Sequence, residues 1–170
     1  KSKSPWTATW EKTGGYTEAN APYYNNGSYT KYTIDGEILE AADDAANVIL
    51  GGNWQIPTQA IWDEFIKGCT TTGWNENGYV FENNDRTLFL PAADYVKVTK
   101  FYDGSDGYYW SGTAKSSTSA YYLHLYSSSG DVNAQSNIDR YIGLSVRPVR
   151  LVEVYAATTT EGYNVENDFV

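Results

Sequence analysis

The strongest constraint on the fold is a pair of alternating runs between Gly107 and Arg150. In the first, Tyr121, Leu123 and Leu125 alternate with Tyr122, His124 and Tyr126; the second sets Val132, Ala134, Ile138 and Ile142 opposite Asp131, Asn133, Asn137, Asp139 and Tyr141. Strand side chains point to opposite faces with period two, so each run predicts a strand with two unlike faces. The aliphatic face is expected to pack. The other face, joined by Ser128 between the runs, is expected to be exposed. Tyr offers a large amphipathic contact area at low entropy cost, and small polar residues adapt their hydrogen bonds, so this composition suits recognition.

At 170 residues the chain fits one domain, long enough to bury about two thirds of the surface its unfolded form exposes. Its 16 Tyr and 6 Trp supply much of the 41% apolar content, and mean hydropathy is -0.52. The core must therefore be aromatic-rich, with hydroxyls reaching polar partners. A net charge of -9 without a Lys/Arg cluster disfavours a nucleic-acid partner or an anionic membrane. No apolar run is long enough to span a bilayer, and no signal-peptide core is visible, so direct membrane insertion is not expected. Cys69 is the single cysteine; it is read as a small buried residue after a helix rather than as a reactive thiol. The sequence holds no Met, and Lys1 is expected to mark a processed or truncated start.

Residues 1–36, rich in Gly, Asn, Thr and Tyr, read as an ordered loop packed on the domain, with Trp6, Trp10, Tyr23 and Tyr24 as pins. Residues 37–155 read as the domain proper. Its first predicted helix spans Glu37 to Leu50, with a small-residue face of Ala41, Ala42, Ala45 and Ala46, and ends at Gly51-Gly52. A second follows Thr58 as N-cap, carries Ile61, Trp62, Phe65 and Ile66 at helical spacing, and stops at Gly68. From Thr70 onward strand and turn residues dominate, with a further strand from Leu151 to Tyr155, and residues 156–170 read as a polar, acidic tail.

Catalytic and metal readings are weaker. His124 is the only histidine, but no nucleophile-elbow motif accompanies it, so no catalytic residue is nominated. Asp103, Asp106, Asn75, Glu76, Asn77, Asn83, Asn84 and Asp85 carry oxygen ligands suited to calcium, without the loop spacing that ends in a bidentate Glu. Neither a metal nor a cofactor is expected.

Several phrases together resemble a known family. GGNWQIPTQAIWDEF at 51–65, LFLPAADY at 88–95, GYYWSGT at 107–113, AYYLHL at 120–125 and GLSVRPVR at 143–150 are similar to the bacterial C-type-lectin-fold domains of Bacteroidetes surface proteins, the Fibrobacter succinogenes major paralogous type. The resemblance spans Asp43 to Arg150. It implies an α+β fold, the C-type lectin fold, in which two helices flank a twisted antiparallel sheet and the ligand surface lies before the terminal SVRPV strand. Some relatives are variable proteins of diversity-generating retroelements, which randomise residues by altering template adenines. AAC or AAT codons so altered yield Tyr, His, Ser, Asp or Asn but never Lys, Gln, Glu, Trp or Met. Tyr122, His124, Tyr126, Ser128, Ser129, Asp131, Asn133, Ser136, Asn137, Asp139 and Tyr141 lie in the permitted set; Lys115 and Gln135 do not.

The calcium motifs of animal lectins and the cysteine pair of the related formylglycine-generating enzymes are absent, as is an obvious opening strand. The resulting expectation is a non-enzymatic receptor or adhesin-like domain, extracellular, on a cell surface or phage particle. It would bind a protein or glycan on another cell or surface through Tyr122, His124, Tyr126, Ser128, Asp131, Asn133, Asn137, Asp139 and Tyr141, held rigid by Leu123, Leu125, Trp110, Val146 and Val149. The alternatives are a constant lectin-like or pilus/tail module, and an enzyme using a carboxylate pair drawn from Asp103, Asp106, Asp131 and Asp139.

Overall fold

In the computed structural model, residues 15–84, 86–101 and 106–151 are described. The chain is α+β, with short helices and mostly antiparallel strands. Among the described residues a 3-10 turn (Glu18–Asn20) precedes a hairpin of β1 (Tyr24–Asn25) and β2 (Ser28–Tyr29). Its turn, Asn26-Gly27, takes φ of 48° and 85°, the positive pair that a tight two-residue hairpin demands. Helix α1 (Ala45–Leu50) and strand β3 (Trp54–Gln55) follow, then α2 (Gln59–Gly68). A three-stranded meander comes next, of β4 (Thr71–Asn75), β5 (Gly78–Asn83) and β6 (Arg86–Pro91). After the small pair β7 (Val96–Lys97) and β8 (Lys100–Phe101), the main sheet is built from β9 (Gly107–Ala114), β10 (Ser119–Leu125) and β11 (Val132–Asp139), in the order β11-β10-β9. Last, β12 (Val149–Arg150) returns to pair with β3.

Helix α2 forms where its stripe predicts. Thr58 is extended and its side chain accepts from Ile61 N at 3.2 Å, satisfying one of the four orphan donors of the first turn. Trp62 is 2% exposed and joins Tyr79, Phe81, Leu90, Tyr109, Leu123, Leu125 and Ala134 in one core, with Phe65 and Ile66 packed against it. This core lies between α2, the inner face of the main sheet and the β5–β6 hairpin. Cys69 follows the helix, half-buried, with Sγ 3.1 Å from Phe65 O; burial pushes its thiol up, away from reactive thiolate character.

The helix expected over Glu37 to Leu50 is only six residues long, because the sheet competes for the earlier backbone. Leu39 N donates to Gly112 O and Ala114 N to Glu37 O, both within 2.9 Å, while Ile38 bridges Thr113. Glu40 N donates to Tyr32 OH at 2.9 Å. Amides and a carbonyl spent in this way cannot close helical turns. Asp44, 4% exposed, then caps α1 by accepting from Ala46 N and Asn47 N, and also accepts from Ile56 N at 2.8 Å. The expected small-residue face is lost with the longer helix: Ala46 is buried, whereas Ala41 and Ala42 are exposed. Of the two helices, α2 packs on the main sheet and α1 on β3.

In the N-terminal segment the expected pin Tyr24 is half-buried, edge-on to Tyr29 at 5.1 Å, and the deepest rings are two outside the expected set. Tyr29 and Tyr32 are each 7% exposed, whereas Tyr23 is 39% exposed; Trp6 and Trp10 lie outside the described residues. Asp43 accepts from Lys31 and from the Tyr23 and Tyr32 hydroxyls, and these bonds, Lys31's first, bring its carboxyl down to about 2. Most of the Leu151 to Tyr155 strand and the acidic tail also lie outside the described residues.

Candidate functional site

The face of the main sheet expected to be exposed is largely covered. Tyr122 and His124 are 7% and 8% exposed, which corrects the reading of both as surface recognition residues. The physical reason is a neighbour on β9. Register places Tyr108 beside His124 and Trp110 beside Tyr122, and the Tyr108 ring stacks on Tyr122 at 5.5 Å and on His124 at 4.5 Å. Tyr126 closes the other side of His124 at 3.7 Å, and Tyr95 meets Tyr108 edge-on at 5.2 Å. Offset and edge-on ring pairs of this kind add about 0.5–1.5 kcal/mol beyond their burial. The outer face is thus an aromatic layer rather than a free coat. Trp110, expected as a support with Leu123 and Leu125, shares the Tyr122 side, because it is the cross-strand partner of Tyr122.

Asp106 organises this layer. One carboxylate oxygen lies 3.2 Å from His124 Nε2, and the other accepts from Ser127 N and Ser127 Oγ, each at 2.8 Å. Burial works to raise the Asp106 carboxyl, but the Ser127 and His124 bonds outweigh it and hold it below the ordinary range. For His124, burial outweighs the attraction of Asp106 and lowers its affinity for a proton. A Ser, an Asp and a His therefore meet, but in the wrong order for acyl transfer. Ser127 bonds the carboxylate and not the imidazole, whose other nitrogen faces Tyr122 OH at 3.5 Å. A nucleophile must give its proton to the base, and here it cannot.

The end of the β10–β11 hairpin is different. Residues 126–131 form a tight connection in which Tyr126 N donates to Asp131 O and Gly130 N to Tyr126 O, both at 2.9 Å. Gly130 sits at φ 70°, and its carbonyl accepts from Tyr79 OH at 2.5 Å. The turn is thus fastened from below at Ser127 by Asp106 and at Gly130 by Tyr79. Outward of these anchors, Ser128, Ser129, Asp131 and Asn133 are exposed and Tyr126 is half-exposed.

The remaining predicted residues do not join this tip. In β11 the register runs Tyr122 to Ser136, then His124 to Asn133, so three steps on β11 match two on β10. This bulge reverses the strand's parity. Asn133 stays on the His124 side, but Asn137 is the partner of Tyr121 and Asp139 of Ser119, placing both on the opposite face. Ile138, expected with the aliphatic set, consequently falls opposite Ala120, on the Tyr122 side. Tyr141 lies past the strand, half-exposed, with Lys97 Nζ 5.7 Å from its ring centre. The nine residues therefore divide into a buried pair, a four-residue tip of Tyr126, Ser128, Asp131 and Asn133, and three placed elsewhere.

Sequence reading missed Tyr108 as the partner that buries His124. The signal was present in the doublet Tyr108-Tyr109, since alternation sends one ring to each face. Tyr109 does face the core, 4% exposed, with its hydroxyl bonded to Pro91 O and burial pushing it up to about 12. Among the described residues no group of three or more His, Cys, Asp or Glu side chains is arranged to hold a metal ion, and Asp103 and Asp85 lie outside them. No helix among the described residues is long and apolar enough to cross a membrane. No family model matches the chain, nor does any curated protein or solved structure.

Proposed function

We propose that this chain is a non-enzymatic ligand-binding domain of C-type-lectin-like type, displayed on a cell surface or phage particle. It engages a protein or glycan on another cell or surface through the β10–β11 tip. The observation that carries this reading is the contrast within the tip: its backbone is fastened by Asp106 and Tyr79, while Ser128, Asp131 and Asn133 point into solvent and Tyr126 is half-open. Preorganised backbone keeps the ordering cost of binding low and leaves the outer side chains replaceable. The return of β12 to the strand before α2, and the packing of α2 on the sheet, support the lectin-like assignment.

The variable-protein reading narrows accordingly. Ser128, Ser129, Asp131 and Asn133 are the positions at which diversification leaves the scaffold intact, whereas variation at Tyr122, His124 or Tyr126 would erode the aromatic layer. Comparing the gene among sister isolates tests this: substitutions should concentrate at the tip. An even spread over exposed positions would refute diversification. Ser128→Ala combined with Asp131→Ala should leave stability within about 0.5 kcal/mol while abolishing capture on a protein and glycan array. Unchanged capture would remove the tip from the contact surface.

A further inference from the structure

A concavity lies at the other end of the same sheet face, where residues 21–43 cover β9 and β10. It is a half-open hollow of about 190 Å³, and a cavity of about 150 Å³ already admits a benzene ring. Tyr29, Tyr32 and Trp110 form its walls, and Leu39, Ala114 and Ala120 its apolar lining. Such a cavity accommodates one ring. What else the occupant carries depends on which polar groups at the wall are still unspent.

The acidic lining residues have much of their capacity in use. Asp43 accepts from Lys31, Tyr23 and Tyr32, and Glu37 accepts from Ile34 N. Arg140 is the opposite case. Its Nη1 donates to Lys31 O, Tyr32 O and Ser117 O, which fixes the guanidinium over the Tyr29 ring at 4.3 Å. Among the described residues, no carboxylate lies within 4.0 Å of it, and Nη2 and Nε make no hydrogen bond. Ser111 and Thr113, also in the lining and buried, each accept one backbone N–H and keep their own proton to donate. Tyr29 OH is the one buried side-chain polar atom among the described residues without a partner. Arg140 feels the Glu37 carboxylate only across the cavity, without a contact ion pair, and its planar fork matches a carboxylate bidentately.

We propose that this cavity is a binding site for a small aromatic carboxylate, with the ring between Tyr29, Tyr32 and Trp110 and the carboxylate on Arg140. The site is separate from the hairpin tip, so it stands or falls independently of tip recognition. The test is calorimetric titration of the full chain with sodium benzoate and, in parallel, with benzamide, which keeps the ring and removes the charge. Benzoate should bind at least about tenfold more tightly, the scale of one charge-assisted contact. Ala120→Leu, which fills the cavity and leaves Arg140 in place, should abolish benzoate binding while the far-UV spectrum stays that of the parent chain. Equal affinity for the two ligands would show that the cavity reads the ring alone and would overturn the carboxylate assignment. Absence of benzoate binding at millimolar concentration, or full retention of it in a folded Ala120→Leu chain, would overturn the site. Should that variant fail to fold, the benzoate-to-benzamide ratio on the parent chain decides by itself.

Discussion

The two faces of the β9–β10–β11 sheet alternate residue by residue along the same strands, yet they are buried by different means. On the inner face Tyr109, Leu123, Leu125 and Ala134 meet α2, Tyr79, Phe81 and Leu90, where exclusion of water from apolar surface dominates and the few polar tips donate to backbone carbonyls. On the outer face Tyr108, Tyr122, His124 and Tyr126 cover one another, and polar atoms that water would otherwise serve are handed to Asp106 and Ser127. The comparison teaches that a strand face rich in Tyr, His and Ser is not thereby a surface. Rings large enough to overlap can shield a polar face from solvent, provided that a carboxylate at its margin, here the half-buried Asp106, pairs the remaining donors.

The inner face should respond most strongly to truncation. Leu123→Ala removes a fully buried side chain and should cost about 3 kcal/mol, read as a shift in denaturation midpoint at unchanged slope. Asp106→Ala strips the partners of Ser127 and His124 from the outer face and should cost about 2 kcal/mol, the scale of hydrogen bonds to a charged group. It should also speed hydrogen exchange at Ser127 and Gly130. A cost no greater than that of a surface substitution would break the comparison, because the outer face would then not be a core at all.

The smallest effect is one of pH and belongs to the outer face alone. His124 is held below its ordinary value of 6.5 by burial, so the unfolded chain takes up this proton first as pH falls. The stability contributed by neutral His124 is fully present above pH 6.5 and is lost as pH falls from there toward the lower folded value. Asp35, Asp43 and Asp106, all held low, lose their contributions only below 3.8. Denaturation midpoints between pH 7.5 and 5 should therefore decline in the parent chain and decline less in His124→Gln. A parallel decline in both would assign the effect elsewhere.

How much of this was legible in the sequence differs by element. Helix α2 was readable because stripe, cap and stop all agree at Thr58, Trp62 and Gly68. The strands of the main hairpin were readable from alternation, but only as far as the bulge, since nothing in Asn133 to Ser136 announces an extra residue. The long first helix misled because helix-forming side chains at Glu37 to Ala42 say nothing of where the backbone donors go, and Gly112 claims one of them. The covering of Tyr122 and His124 was hidden for a similar reason, as it depends on Tyr108 from another strand and on Tyr95 and Asp106, which lie outside the hairpin. The tip was legible in its residue types and not in its anchors, Asp106 and Tyr79, which are distant in the chain.

The phase change within β11 has a consequence for how this molecule can vary. Exchange of one side chain for another at the tip leaves every later position oriented as before. Gain or loss of a single codon between Asn133 and Ser136 would rotate the rest of the strand by half a turn, driving Asn137 toward the ring layer and Ile138 into solvent. A lineage built on this hairpin can rewrite its letters freely, but it must keep its spelling length.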